Sequence, residues 1–242
     1  MVNRKLILSL FVCSFLSAVM GLYPTVASAQ KTANILLVGG GASHDFDRWY
    51  RQEDAKTIES LHSFQVQYTD HVDSIPFYLK HSDVLILSNN QPIGDEGKKA
   101  ITRFVEKGNG LLLLHPGLWY NWADWPEYNL NYAGGGSKSH EEYRVFKNCV
   151  VNSTHPITKD VPLTFELADE LYRYMPDPEA RGIEVLAIGM SMHTDEFYPV
   201  VFTVKHPKAR IAGISLGHDE KSHTRDEYKT LLTNAVRWVS EN

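Results

Sequence analysis

The chain has 242 residues, 43% of them hydrophobic, and a formal charge of −5 from 29 acidic against 24 basic side chains. That is long and apolar enough to bury a sizeable core, and too acidic to give nucleic acid or an anionic lipid surface an electrostatic foothold. Small neutral or cationic molecules remain as the ligand class.

The first element is an address. Arg4 and Lys5 precede an apolar run from Leu6 to about Leu22, and Ala27-Ser28-Ala29 supplies the small residues at which a signal peptidase cuts. The expectation is a signal peptide over residues 1–29, cleaved near Ala29, and a periplasmic or secreted chain forming one domain over residues 30–242. The apolar run is short, Pro24 interrupts its end and no basic stop-transfer cluster follows, which disfavours a membrane anchor. Losing Arg4 and Lys5, with no acid before Gln30, takes the charge from −5 to −7. Cys13 leaves with the signal, so Cys149 is the only mature cysteine, and neither an intrachain disulfide nor a thiolate metal cluster is available.

Asn34 to Val38 is an apolar strand leading into Gly39-Gly40-Gly41, read as a tight turn, and a polar amphipathic helix follows from about Asp47 to Leu61. Phe64 to Thr69 alternates as a strand, Ile75 to Lys80 is a short helical crossover, and Asp83 to Leu87 is a buried strand. Gly94 and Asp95 open a helix whose Ile101, Phe104 and Val105 keep helical spacing, and Gly108 ends it. Gly110 to Gly117 then reads Gly-Leu-Leu-Leu-Leu-His-Pro-Gly: a strand buried on both faces that stops on His115, with Pro116 expected to hold His115 extended. Strands and helices alternating in this way imply right-handed crossovers and a parallel sheet.

Trp119 to Tyr132 is crowded with Trp, Tyr and Asn, lacks a period and reads as a long loop or lid. The glycine run Gly134-Gly135-Gly136 reads as a flexible loop, Tyr143 to Asn152 and Glu184 to Gly189 as strands, and Pro199 to Lys205 with Arg210 to Leu216 as a hairpin. Tyr228 to Val239 is a closing amphipathic helix. There is no repeat, low-complexity tract or linker.

Four residues share a context that suits chemistry. His44 follows the first glycine turn, His115 ends the central strand, His218 follows the strand Ile211 to Leu216, and Glu170 lies in Ala-Asp-Glu-Leu-Tyr172. In open α/β sheets the carboxyl ends of the strands border the ligand crevice, so histidines at those tips converge. Neutral imidazoles with a carboxylate bind a borderline divalent metal such as zinc, and the same groups serve as acid and base without one. His44, His115 and His218 are the metal-ligand candidates, but no compact His-x-x-x-His spacing decides between the two readings. Cys149 falls inside a strand, as a small buried hydrophobe would, and no Gly-x-Ser-x-Gly elbow is present. Trp119, Tyr120, Trp122 and Trp125 read either as a core plug or as platforms for sugar rings, with His140 and Tyr172 as further substrate contacts.

Taken in order, Ile35-Leu-Leu-Val-Gly-Gly-Gly with His44, the His115-Pro-Gly strand end, the Gly-Ser-Lys-Ser-His140 segment, Ser153-Thr-His-Pro-Ile157 with Asp169-Glu-Leu-Tyr172, and Ser215-Leu-Gly-His-Asp219 resemble the trehalose-utilisation, ThuA-like family over about Ala33 to Val239. The resemblance implies a flavodoxin-like three-layer α/β sandwich with a mostly parallel sheet, as in class I glutamine amidotransferases. Members with glutaminase activity place a cysteine on the turn that His115-Pro116-Gly117 occupies here, while His218-Asp219-Glu220 looks like their partner motif. It further implies carbohydrate catabolism and cleavage of glycosidic bonds in oxidised, 3-keto sugars; the strand-tip reading of the residues themselves makes His115, His218 and Glu170 the catalytic groups. A non-catalytic sugar-binding module is the alternative, and a homo-oligomer stays open.

Overall fold

The computed structural model describes residues 32–119 and 124–241. The signal segment, Tyr120 and Trp122 therefore lie outside the described residues. Among the described residues, no helix is long and apolar enough to cross a membrane.

The first half follows its apolar runs. Strand β1 (Ala33–Val38) leads through the glycine turn to a π-helical stretch, Asp47–Asp54, that continues as α1 (Ala55–Glu59). β2 (Phe64–Thr69), the short α2 (Ile75–Tyr78), β3 (Val84–Leu87), α3 (Asp95–Glu106) and β4 (Gly110–Leu114) follow in that order. After β4 come β5 (Gly135–His140), β6 (Arg144–Val150), β7 (Thr164–Asp169), β8 (Tyr172–Pro176), β9 (Ile183–Met190), β10 (Phe197–Val204) and β11 (Ile211–Ile214). The turn of helix α4 (Glu220–His223) and the long α5 (Asp226–Ser240) close the chain.

A nine-stranded sheet has the order β2-β1-β3-β4-β11-β10-β9-β6-β7. Its first five strands pair in parallel and the remaining ladders are antiparallel. Successive antiparallel pairing makes β11, β9 and β7 run the same way, so β7 delivers its carboxyl end to the edge that β1, β4 and β11 also reach. The core is double-sided. Ile35 and Leu37 of β1 pack with α1 and α5 residues such as Ile58 and Leu232, while Leu36 and Val38 pack with Ile101 and Phe104 of α3. Strands covered on both faces must be apolar at every position, which is why β3 and β4 read as unbroken runs.

Three expectations need correction. The segment after β4 is not a lid along its whole length: Trp125, Tyr128 and Tyr132 are buried in the α3-side core, with the Tyr128 hydroxyl donating to the Gly117 carbonyl at 2.6 Å. Large rings that can also place a hydroxyl on a backbone acceptor gain more from burial than from facing water. The run Gly134–Gly136 is not a flexible loop, because Gly135 and Gly136 begin β5, which pairs with β8 as a separate two-stranded ribbon. There Gly135 lets the backbone close on β8, since a Cβ would sit 2.2 Å from the Met175 carbonyl oxygen. Cys149 lies in β6 as expected but is only half-buried.

Candidate active site

The site is assembled from the tips of strands. His115 does not continue β4 in extended form, as Pro116 suggests; it opens a 3-10 turn over His115–Leu118, with Pro116 in the first turn where its missing N–H costs nothing. Its side chain is completely buried, and its Nδ1 lies 2.6 Å from the Ser215 carbonyl of the strand next door. A carbonyl only accepts, so Nδ1 carries the proton and Nε2 keeps the lone pair. His44 is set the same way: its Nδ1 is 3.2 Å from the Ala42 carbonyl. The loop carrying it is clamped by Asn90, whose amide accepts from the Ala42 N–H and donates to the Ala42 carbonyl, both at 2.9 Å.

That clamp needs Gly41. Its φ is +128°, and an added Cβ would come within 1.7 Å of Asn90 Oδ1. Gly41→Ala is therefore expected to cost about 1–3 kcal/mol and to displace His44. Thermal unfolding checks this against Gly94→Ala, where nothing lies within 4 Å of the added carbon; equal midpoints for the two would refute it.

Glu170 follows β7 and sits among the imidazoles. Its Oε2 is 3.6 Å from His115 Nε2 and 3.3 Å from His218 Nδ1, and its Oε1 is 3.7 Å from His140 Nδ1. Burial by itself would raise the Glu170 carboxyl, but the His115 and His218 imidazoles, wherever the facing nitrogen carries a proton, hold it well below the ordinary carboxylate range. The same carboxylate lifts His218 above its usual value against the effect of burial. His44 is pushed down to about 3, first by burial and then by the nearby His115, so it is a neutral imidazole at working pH. The ring centroids of His44 lie 5.1 Å from His115 and 4.8 Å from His218.

The three strand-tip histidines and Glu170 thus come together as expected: one ligand-type atom from each lies within 4.8 Å of all the others. A set of three imidazoles and a carboxylate is of the kind that holds a divalent transition ion. A cleft of about 290 Å³ opens over them, lined by His44, Glu170, His218, Trp119, His140 and Tyr172, with Ser43, Asn90 and Pro116 completing it. Tyr172 packs on His115 at 4.3 Å between centroids and Trp119 packs on Tyr172 at 5.3 Å, so the two predicted aromatic contacts do border the cleft. His140, the fifth histidine, gives its Nδ1 to the Glu141 carbonyl at 2.7 Å, which leaves Nε2 as its basic nitrogen.

The amidotransferase-like partner motif is not assembled. Asp219 caps α4 by accepting from the Lys221 N–H at 2.9 Å, and Glu220 is exposed in the first turn of that helix. Glu170, from a different strand, supplies the carboxylate instead.

Sequence reading missed the groups that hold the site in place. Asp169, fully buried, accepts from the N–H of Glu170 and of Gly217, each at 2.7 Å, and from the Ser222 hydroxyl. One carboxylate therefore ties the β7–β8 turn to the β11 loop. Beneath that loop, His223 Nδ1 is 2.7 Å from the Asp54 carboxylate and its Nε2 is 3.0 Å from the Gly217 carbonyl. The Tyr50 hydroxyl donates to that carbonyl at 2.6 Å, and the Tyr228 hydroxyl to Asp54 at 3.0 Å. Burial would depress the His223 imidazole, but Asp54 outweighs it and raises His223 above its usual value, in keeping with two acceptors facing its two nitrogens. The adjacency of Asp169 to Glu170 was a visible signal; the pairing of Asp54 with His223, 169 positions apart, had none.

The profile of the ThuA family, described as trehalose utilisation, matches residues 34–239. No protein of curated function matches the chain. Among solved structures, a ThuA-like protein from Parabacteroides merdae superposes with a TM-score of 0.76 at 19% identity, over 87% of this chain and 91% of that one. A ThuA-like protein from Bacteroides uniformis gives 0.73 at 20% identity, over 90% and 95% of the two chains. The glutaminase domain of Trypanosoma brucei CTPS, solved with bound acivicin, gives 0.53 at 9% identity, over 85% and 94%. At these identities the likeness is one of fold, and it joins this sheet to the glutaminase architecture.

Proposed function

The chain belongs to the ThuA family of trehalose utilisation, and on that premise we propose that it cleaves the glycosidic bond of an oxidised, 3-keto disaccharide or glycoside by acid–base chemistry at the strand-tip cluster. The observation that carries the reading is the convergence of His44, His115, His218 and Glu170 beside a cleft that three of them, His44, His218 and Glu170, line together with Trp119 and Tyr172. The apolar faces of a sugar ring suit those two aromatic rings, and its hydroxyl rim suits the histidines around them. At about 290 Å³ the cleft is at the lower limit of small-ligand pockets, which run from ~300 Å³ upward. It fits one ring, with the second reaching outward.

A ketone at C3 acidifies the hydrogen on C2. Removing that proton gives an enolate whose electrons expel the C1 oxygen substituent; the leaving alcohol takes a proton, and water then adds at C1 of the resulting enone. The sum is hydrolysis, with one water consumed and no net redox change. The route needs a base and a positive centre for the enolate oxygen, and it needs no pair of carboxylates flanking an oxocarbenium ion. His140 Nε2 is the base at the cleft wall, and the tetrad is the place for the positive centre. The elbow after β4 holds His115-Pro116-Gly117, so no cysteine nucleophile stands there. The reading includes export, supported by Arg4, Lys5 and the small residues Ala27-Ser28-Ala29.

Incubation with a 3-keto-disaccharide in deuterated water is expected to release both sugars, with deuterium at C2 of the keto product, and to leave the unoxidised disaccharide intact. Cleavage of the unoxidised sugar at a similar rate overturns the need for a carbonyl. Binding of oxidised sugars without turnover makes the protein a sugar-binding module instead.

A further inference from the structure

Three ring nitrogens at the bottom of the cleft, His44 Nε2, His115 Nε2 and His218 Nδ1, are buried without a hydrogen-bond partner among the described residues. A buried polar atom left this way costs about 1–3 kcal/mol, so three in one cluster indicate something that satisfies all of them at once. Their tautomers say what it is. With the Nδ1 protons of His44 and His115 committed to the Ala42 and Ser215 carbonyls, both Nε2 atoms present lone pairs. The third acceptor-rich neighbour, Glu170, stands at 3.3 Å and 3.6 Å from His218 and His115, too far or too poorly aligned to satisfy them by hydrogen bonding.

From this geometry we infer that His44 Nε2, His115 Nε2 and His218 Nδ1 bind one divalent ion of the zinc class, with a Glu170 oxygen as the exchangeable fourth ligand. The distances allow it. Ligands bound at ~2.0–2.2 Å to a tetrahedral ion are roughly 3.4 Å apart, and these four atoms lie within 4.8 Å of one another, so side-chain shifts of about an ångström close the shell. Three nitrogens exclude calcium and magnesium as preferred occupants, because those hard cations take oxygen ligands. The outer contacts are those of a built metal site: two of the three imidazoles donate their other nitrogen to a backbone carbonyl, and Asp169 fixes the segments carrying Glu170 and His218 through the N–H groups of Glu170 and Gly217. Three imidazoles alone leave one tetrahedral position, which Glu170 fills or yields to a water or substrate oxygen; three protein ligands with one exchangeable position is the arrangement of a catalytic rather than a structural centre.

The test is calorimetric titration of zinc into the full chain after chelator treatment and dialysis, with no sugar present. One equivalent should bind, magnesium should not compete, and His44→Ala and His218→Ala should each weaken binding by at least about 100-fold. Circular dichroism of both variants confirms that they remain folded. Replacing His71 and His81, which lie outside the cluster, should leave the affinity within about two-fold. Absence of stoichiometric binding, or binding untouched by both cluster substitutions, overturns the assignment. Since the readout involves no sugar, that failure leaves the proposed cleavage to its own experiment.

Discussion

If the proposed cleavage is the activity, Glu170→Gln is expected to turn over a 3-keto-disaccharide about 10²- to 10⁴-fold more slowly than the parent, with an unchanged circular dichroism spectrum. The amide has the shape of the carboxylate and replaces a side chain that is only 17% exposed, so packing survives. What is lost is the negative charge among three imidazoles at 3.3–3.7 Å. The His115 and His218 imidazoles lower the Glu170 carboxyl, so the parent carries that charge at neutral pH while the amide never does. KM should move less than kcat, because the substitution leaves the proposed ring contacts of Trp119 and Tyr172 untouched. Steady-state kinetics decides it: a folded variant with parental kcat removes the tetrad from the mechanism.

The second large effect concerns stability. Asp54→Ala leaves His223, which is completely buried, without the carboxylate that sustains its charge. Breaking a buried pair in this way costs about 3–5 kcal/mol, which for a chain of this size lowers Tm by about 10 °C. The pH dependence has a definite sign. His223 has a pKa raised above 6.5 in the folded state, so the pair's contribution is fully present below that value and is lost as pH rises through the raised one. The gap between parent and Asp54→Ala in urea unfolding should therefore be widest near pH 6 and shrink towards alkaline pH. A constant gap would mean that the His223 charge is not what Asp54 stabilises.

The parallel half of the fold was legible because strands buried on both faces carry their assignment in composition alone. β1 beyond Asn34, and all of β3 and β4, are apolar at every position, and Asp95–Glu106 repeats its apolar residues at helical spacing. β5 and β8 were not legible, since a ribbon of Gly-Gly-Ser-Lys-Ser-His against Tyr-Arg-Tyr-Met-Pro is held by pairing between distant segments. β7 alternates in burial along Thr-Phe-Glu-Leu-Ala-Asp, a signal short enough to pass as loop. At the site, His44, His115 and His218 were readable because each follows an apolar strand directly. Asp54 and His223 were not, because each lies within or beside a helix where a lone charged residue normally faces solvent. The rings after β4 divided by position: Trp119 borders the cleft, while Trp125 and its successors fill the core.

The partner that fixes the His115 proton is a backbone carbonyl, one step beyond the Ile214–Leu114 pair in the β11–β4 ladder. No substitution of a side chain can delete that acceptor, so the setting of this imidazole tolerates point mutation at Ser215 and exchange of its apolar neighbours. Its vulnerability is of another kind: a single-residue insertion or deletion in either strand would slip the ladder and turn every side chain to the opposite face. Chain length between the glycine at position 110 and the histidine at 115, more than the identity of the leucines between them, is what this centre cannot vary.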